Sequence, residues 1–171
     1  MVKRKVVLIL FLLWMLAVFL FSSQNGVSSS KTSGVIVNKV VEIITTIKDV
    51  PEDEIKSLTS TVSFYVRKAA HFSIYAVGGI LMFILLKLYN FSNIRAFLCA
   101  VGICFCYAVS DETHQTLVSG RSGQFRDVCI DTAGATTGVI FTIIIGGIIN
   151  KIKNFKNNRK NLKKSIAINP N

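Results

Sequence analysis

Eleven residues able to bind or move charge fall into two short stretches of this 171-residue chain. Tyr107–Asp131, reading YAVSDETHQTLVSGRSGQFRDVCID, carries Asp111, Glu112, His114, Gln115, Arg121, Arg126, Asp127 and Asp131. Val66–Tyr75, reading VRKAAHFSIY, carries Arg67, His71 and Tyr75. A histidine oriented by a carboxylate is the usual apparatus for proton transfer, which makes His71, Asp111, Glu112, His114 and Asp127 the catalytic candidates. Guanidiniums clamp phosphate or carboxylate, and phenol, amide and carboxylate groups orient them. Arg67, Tyr75, Gln115, Arg121, Arg126 and Asp131 are therefore the substrate-binding candidates. Gly120 and Gly123 flank Arg121 in a tight turn whose N–H groups could hold an anion. His71, His114 and two of the aspartates would suit Zn²⁺ or Mn²⁺, but no HExxH-type spacing is present, so no metal is assigned and the cofactor stays open. A purely structural alternative is that the charges satisfy one another. An Arg67–Asp127 or Arg126–Asp131 pair would then simply lock helices together.

The elements that must position these groups are apolar. Hydrophobic residues make up 51% of the chain, and they collect into four runs at about 6–21, 69–89, 94–109 and 128–149 rather than being spread evenly. A hydrocarbon layer about 30 Å thick needs about 20 helical residues to cross, so four crossings are expected; the third has the shortest unbroken apolar core, Ala96–Val109, which could extend at either end. The expected fold is all-α: an integral membrane bundle of four transmembrane helices, with one or two extracytoplasmic helices between the first two. The membrane domain covers 1–150 and a basic cytoplasmic tail covers 151–171. The polar stretch 25–34 reads as a turn. Val35–Val50 has helical spacing but is too polar to span, so it is expected to lie on the outer membrane surface or against the other helices. Pro51 followed by Glu52, Asp53 and Glu54 starts a second outer helix, so that outer helices occupy about 35–66. It could continue straight into the second crossing.

Within that crossing Arg67, His71 and Tyr75, at i, i+4 and i+8, are read as one stripe, with Lys68 pointing elsewhere towards headgroups. Asp111, His114 and Gln115 share a face if helix continues through SDETHQ. Gly134 or Ala135 with Gly138 forms a seam for close helix packing. Trp14 carries no assigned role. Cys99, Cys104, Cys106 and Cys129 sit in apolar runs without knuckle spacing, which points to packing and to no disulfide framework.

The formal charge of +11 would suggest a nucleic-acid partner in a soluble protein. Its distribution argues for membrane topology instead. With the N-terminus in the cytoplasm, the inner pieces hold twelve Lys or Arg and no acid, and the outer pieces hold eight basic residues and eight of the nine acids. That asymmetry places both termini inside. The partners are membrane lipids and a lipid-linked or peptidoglycan substrate, not nucleic acid; the oligomeric state is open. All eleven candidates then emerge at one outer membrane level, and ionisable groups at a membrane point to function by default.

R-K-x-x-H-F-x-x-Y at Arg67–Tyr75, S-D-E-x-H-Q at Ser110–Gln115, G-R-x-G-x-x-x-D at Gly120–Asp127 and Ser22-Ser23-Gln24 after the first run together resemble the VanZ-like membrane protein family. The resemblance covers nearly the whole chain outside the tail. Asp131-Thr132 departs from it, since asparagine is common there in the family. The resemblance implies that Arg67, His71, Asp111, Glu112, His114, Gln115, Arg121 and Asp127 matter. It also implies a place in the bacterial plasma membrane and a contribution to glycopeptide resistance, since the family's namesake is an accessory protein associated with teicoplanin resistance. Whether such a protein is an enzyme is left open. A non-enzymatic binding or assembly factor is the alternative, and a small transporter is less favoured because no inverted repeat is evident.

Overall fold

A computed structural model describes residues 2–24, 26–48, 50–121 and 123–168, with side chains described throughout those ranges except at 26–32 and 162–168. The described residues form five α-helices and no strand: α1 Val2–Ser22, α2 Gly26–Ile47, α3 Glu52–Leu88, α4 Asn93–Gln115 and α5 Phe125–Ile168. Four of them, all but α2, are long and apolar enough to cross a membrane. Backbone groups in hydrocarbon must be bonded within their own segment, which is why the runs become helices. Leu8, Ile9, Leu12, Leu13, Leu16 and Leu20 of α1 stay exposed, as side chains facing lipid do.

The third crossing is not short. Expected at 94–109, it begins after the Ser92 cap, whose Oγ accepts from Arg95 N at 3.4 Å, and continues through Gln115. Twenty-three residues span about 34 Å at 1.5 Å each. Helix persists through the polar SDETHQ because Gln115 Nε2 donates to Asp111 Oδ2 at 3.0 Å one turn back, and no glycine intervenes before Gly120.

Two other expectations change. The turn expected over 25–34 is helical from Gly26, while Asn25 lies outside the described residues. The resulting α2 packs on α3 and buries Val37, so of the two placements considered for this segment it takes the one against another helix. The tail, set apart from the membrane domain at 151, continues α5 to Ile168, since 151–168 is rich in Lys and free of Pro and Gly. The chain divides into two compact units, 1–139 and 140–171; the second carries the basic tail and is helical as far as Ile168.

In the first unit α3 is the hub, packed against α1, α2 and α4. Its first-turn acids Glu52, Asp53 and Glu54 follow Pro51 and meet the positive end of the helix dipole. It then runs without a break into the second crossing. It ends at Leu88 with Asn90 at φ 64° and Phe91 N bonded back to Leu86 O at 3.2 Å, a left-handed closure that asparagine tolerates. α4 returns with Ala96, Ala100, Cys104 and Ala108 buried at four-residue intervals, small side chains that let two backbones approach. All four cysteines are free thiols.

Arg4 Nε donates to Leu88 O at 2.9 Å and its guanidinium lies over Tyr89, so the start of α1 and the α3–α4 turn share one end of this unit. Trp14 anchors the middle. Its Nε1 donates to Ile74 O at 2.7 Å, and its ring packs against Phe11, Tyr75 and Tyr107 at centroid distances of 5.3, 5.5 and 5.4 Å. It lies so close over Gly78 that any Cβ there would collide with the indole. Trp14→Phe should keep most of the packing and lose the indole donor, costing about 1 kcal/mol in reversible unfolding of the detergent-solubilised protein. Gly78→Leu should cost more than this, because the indole has no space to yield.

Candidate functional site

The candidate residues gather at the other end of the first unit, where α1 and α4 finish, α5 begins and α3 passes through. Four acids are buried there: Asp111 and Glu112 near the end of α4, Asp127 and Asp131 in the first turns of α5. α5 can bring its acids this close because its seam is almost free of side chains. A Cβ at Gly134 would strike the Phe72 carbonyl, one at Gly138 the Ala76 carbonyl, and one at Gly79 of α3 the Ala135 carbonyl. This is backbone-to-backbone packing over two helical turns.

Held that way, each α5 acid meets a basic partner on α3. Asp131 is fully buried, and its Oδ1 lies 3.2 Å from His71 Nδ1. Asp127 Oδ1 is paired with Lys68 Nζ. The partner of Asp127 is therefore Lys68 and not Arg67, which is exposed. The stripe that faces the cluster is Lys68, His71, Tyr75, spaced i, i+3, i+7. A strict i, i+4, i+8 row such as Arg67–His71–Tyr75 drifts about 80° around a helix of 3.6 residues per turn, and its first member swings out to solvent. Lys68 also lies over the Phe64 ring at 5.1 Å, so it does not point to headgroups as expected. Arg126 stacks on the same ring at 5.4 Å, exposed and apart from Asp131.

Glu112 reaches forward across the loop: its Oε2 accepts from Gln124 N at 2.8 Å. That bond is possible because Gly123 lies against the Glu112 carbonyl, where a Cβ would not fit. The turn before it, closed by Arg121 N to Val118 O at 3.1 Å, holds Gly120 at φ 76°. The N–H groups of Arg121 and Gln124 are thus committed to protein acceptors and not to an anion. The Arg121 side chain turns back to α1, donating to Ser22 O at 3.2 Å. Burial pushes its pKa down, while the nearby charges of Asp111 and Glu112 favour the cation.

Of the eleven candidates, the structure brings His71, Glu112 and Asp131 together most closely. One donor atom from each lies within 4.8 Å of the other two. Tyr75 is fully buried one turn further along α3. Asp111 and Gln115 are buried and bonded to each other. His114 stands apart from His71: its ring stacks on Phe19 at a centroid distance of 4.8 Å, and its Nε2 is 3.2 Å from Ser23 Oγ. Two contributors have no place among the candidates. Lys68 was legible as a cation one residue from the chosen stripe, whereas Trp14 carried no signal beyond an indole in an apolar run.

A model of the family described as VanZ/LLP1 matches residues 7–146. That range contains every candidate and excludes the basic tail. No curated protein and no solved structure matches the chain.

Proposed function

The chain belongs to the VanZ/LLP1 family, and on that premise we propose that it works in the bacterial plasma membrane, with both termini cytoplasmic and the polar cluster at the outer face. There it binds or acts on a lipid or peptidoglycan component, and it contributes to resistance to glycopeptides of the teicoplanin kind. The observation that carries this reading is the pairing of half-buried His71 with fully buried Asp131, with Glu112 beside them, at one end of a set of helices long and apolar enough to cross a membrane. An imidazole whose Nδ1 is held by a carboxylate presents Nε2 for taking or giving a proton. Arg67 on α3 and Arg126 in the first turn of α5, both exposed, have the chemistry to draw in the phosphate of a lipid-linked precursor. The charge pattern supports the orientation, since Lys3, Arg4, Lys5, Lys87 and Arg95 fall at or near the opposite end from the acids.

A binding or assembly factor without chemistry is the second reading. The mutual pairing of Lys68 with Asp127 and of Gln115 with Asp111 favours it, because such groups hold shape without turning over.

His71→Ala and Asp111→Ala, each checked for folding and insertion, should lower teicoplanin resistance or alter the envelope lipid profile in a host that depends on the protein. Wild-type behaviour from both variants would remove the support for an outer site. For topology, single cysteines at Ser30, Gly120 and Lys160, placed in a background with the four native cysteines replaced, separate the two orientations. The first two should react with an impermeant thiol reagent from outside and the third should not. Labelling of position 160 from outside would overturn the arrangement.

A further inference from the structure

We propose that His71, Glu112 and Asp131 bind a single divalent cation of the Zn²⁺ or Mn²⁺ class. The first observation is geometric. One ligand atom from each residue lies within 4.8 Å of the others, and His71 Nδ1 and Asp131 Oδ1 at 3.2 Å already have the separation that two ligands take around one ion. Ligands about 2.1 Å from a metal stand about 3.0–3.4 Å apart, so the remaining closure is at most about 1.4–1.8 Å, within reach of rotations in the Glu112 side chain.

The second observation is independent of that spacing and points to a missing partner. Glu112 is 95% buried and Asp131 wholly so, and each carboxylate has one oxygen bonded and one without any hydrogen-bond partner: Glu112 Oε1 and Asp131 Oδ2. Tyr75 Oη, fully buried and one turn along α3 from His71, is in the same condition. Buried carboxylate oxygens are normally bonded or metal-bound, and here two lie in one cluster with an imidazole.

Charge gives the same answer. Four buried carboxylates, Asp111, Glu112, Asp127 and Asp131, face two half-buried cations: Lys68, which pairs with Asp127, and Arg121, which feels Asp111 and Glu112. With His71 neutral, two negative charges remain, the charge that one divalent cation cancels. One imidazole nitrogen with carboxylate oxygens is a borderline donor set that suits Zn²⁺ or Mn²⁺ better than Mg²⁺ or Ca²⁺, which favour oxygen alone. On binding, the cation takes the Nδ1 lone pair and Oδ1, any proton between these two atoms is released to water, and His71 carries its remaining proton on Nε2.

The site uses residues of the proposed envelope function but does not depend on that reading, since its test measures metal and not susceptibility. The untagged, detergent-purified full chain, equilibrated with Mn²⁺ or Zn²⁺ and desalted, should carry about one ion per chain by elemental analysis. Mn²⁺ bound to the wild type should show ¹⁴N modulation from a directly coordinated imidazole in pulsed electron paramagnetic resonance. His71 and His114 are the only histidines, so the modulation should survive His114→Ala and vanish in His71→Ala. Asp131→Asn and Glu112→Gln, which keep side-chain size, should each weaken Mn²⁺ binding at least tenfold. Wild-type protein that retains no metal, bound Mn²⁺ without ¹⁴N coupling, or coupling that persists in His71→Ala would each overturn the site. The first and second of these are read on unmutated protein, so misfolding of a variant cannot obscure them.

Discussion

Lys68→Met should destabilise the protein by about 3 kcal/mol, measured by reversible unfolding in detergent or by steric trapping in bicelles. The loss does not come from the attraction of an ion pair as such. Lys68 and Asp127 keep only 18% and 12% of their side-chain surface exposed, and removing the cation strands a carboxylate beside three other buried acids. Breaking a buried pair from one side costs about 3–5 kcal/mol, and the residual exposure here places the effect at the lower end. The companion variant Lys68→Met with Asp127→Leu removes both charges and should recover most of the loss, because an apolar pair of similar volume is nearly neutral in such a position. Arg67→Met is the control. Arg67 is exposed, and its removal should change stability by less than about 0.5 kcal/mol. Equal costs for Lys68→Met and Arg67→Met would mean that the pairing with Asp127 has been assigned to the wrong residue.

The second large effect is expected at the seam that brings α5 to α3. Gly134→Ala should cost about 2–3 kcal/mol and loosen the site, because the new methyl meets the Phe72 carbonyl and not the end of a flexible side chain. Overpacking is usually relieved by small rotamer and backbone shifts, and here a helix would have to move. The displacement would draw Asp131 away from His71, so the same substitution should also perturb the electronic environment of His71, visible in its imidazole NMR resonances. Gly102 supplies the comparison. It lies on α4 with nothing within 4 Å of an added Cβ, so Gly102→Ala should be neutral or stabilising by up to about 1 kcal/mol. A Gly134→Ala protein as stable as Gly102→Ala would show that the two helices do not need this close approach.

Much of the architecture was legible along the chain. Apolar runs of sufficient length specify membrane helices because lipid offers the backbone no partner. The family pattern was legible too, being carried by short motifs whose spacing survives without any knowledge of packing. Boundaries were read less well. The run at 94–109 understates α4, since hydropathy registers where side chains leave the lipid and not where the backbone stops being helical, whereas the helix read from Glu52 does continue straight into the second crossing as α3. Likewise Ser, Thr and Gly in 26–34 signal a turn only in isolation, and the packing of α2 on α3 outweighs their weak local preference.

The sequence by itself determined which residues could do chemistry, that they lie at the ends of apolar runs, and that Lys3, Arg4, Lys5, Lys87 and Arg95 flank the other ends of those runs. Those properties depend on composition and order alone. Only the tertiary structure decided who meets whom. One residue along a helix is a rotation of 100°, so choosing Lys68 over Arg67, or sending His114 to Phe19 while His71 meets Asp131, depends on how each helix is turned within the packing. That rotation is set by contacts remote in sequence: the Trp14 indole on Gly78, and the bare seam of Gly79, Gly134 and Gly138. These make three side chains from three helices, half-buried His71 with buried Glu112 and Asp131, a single cluster.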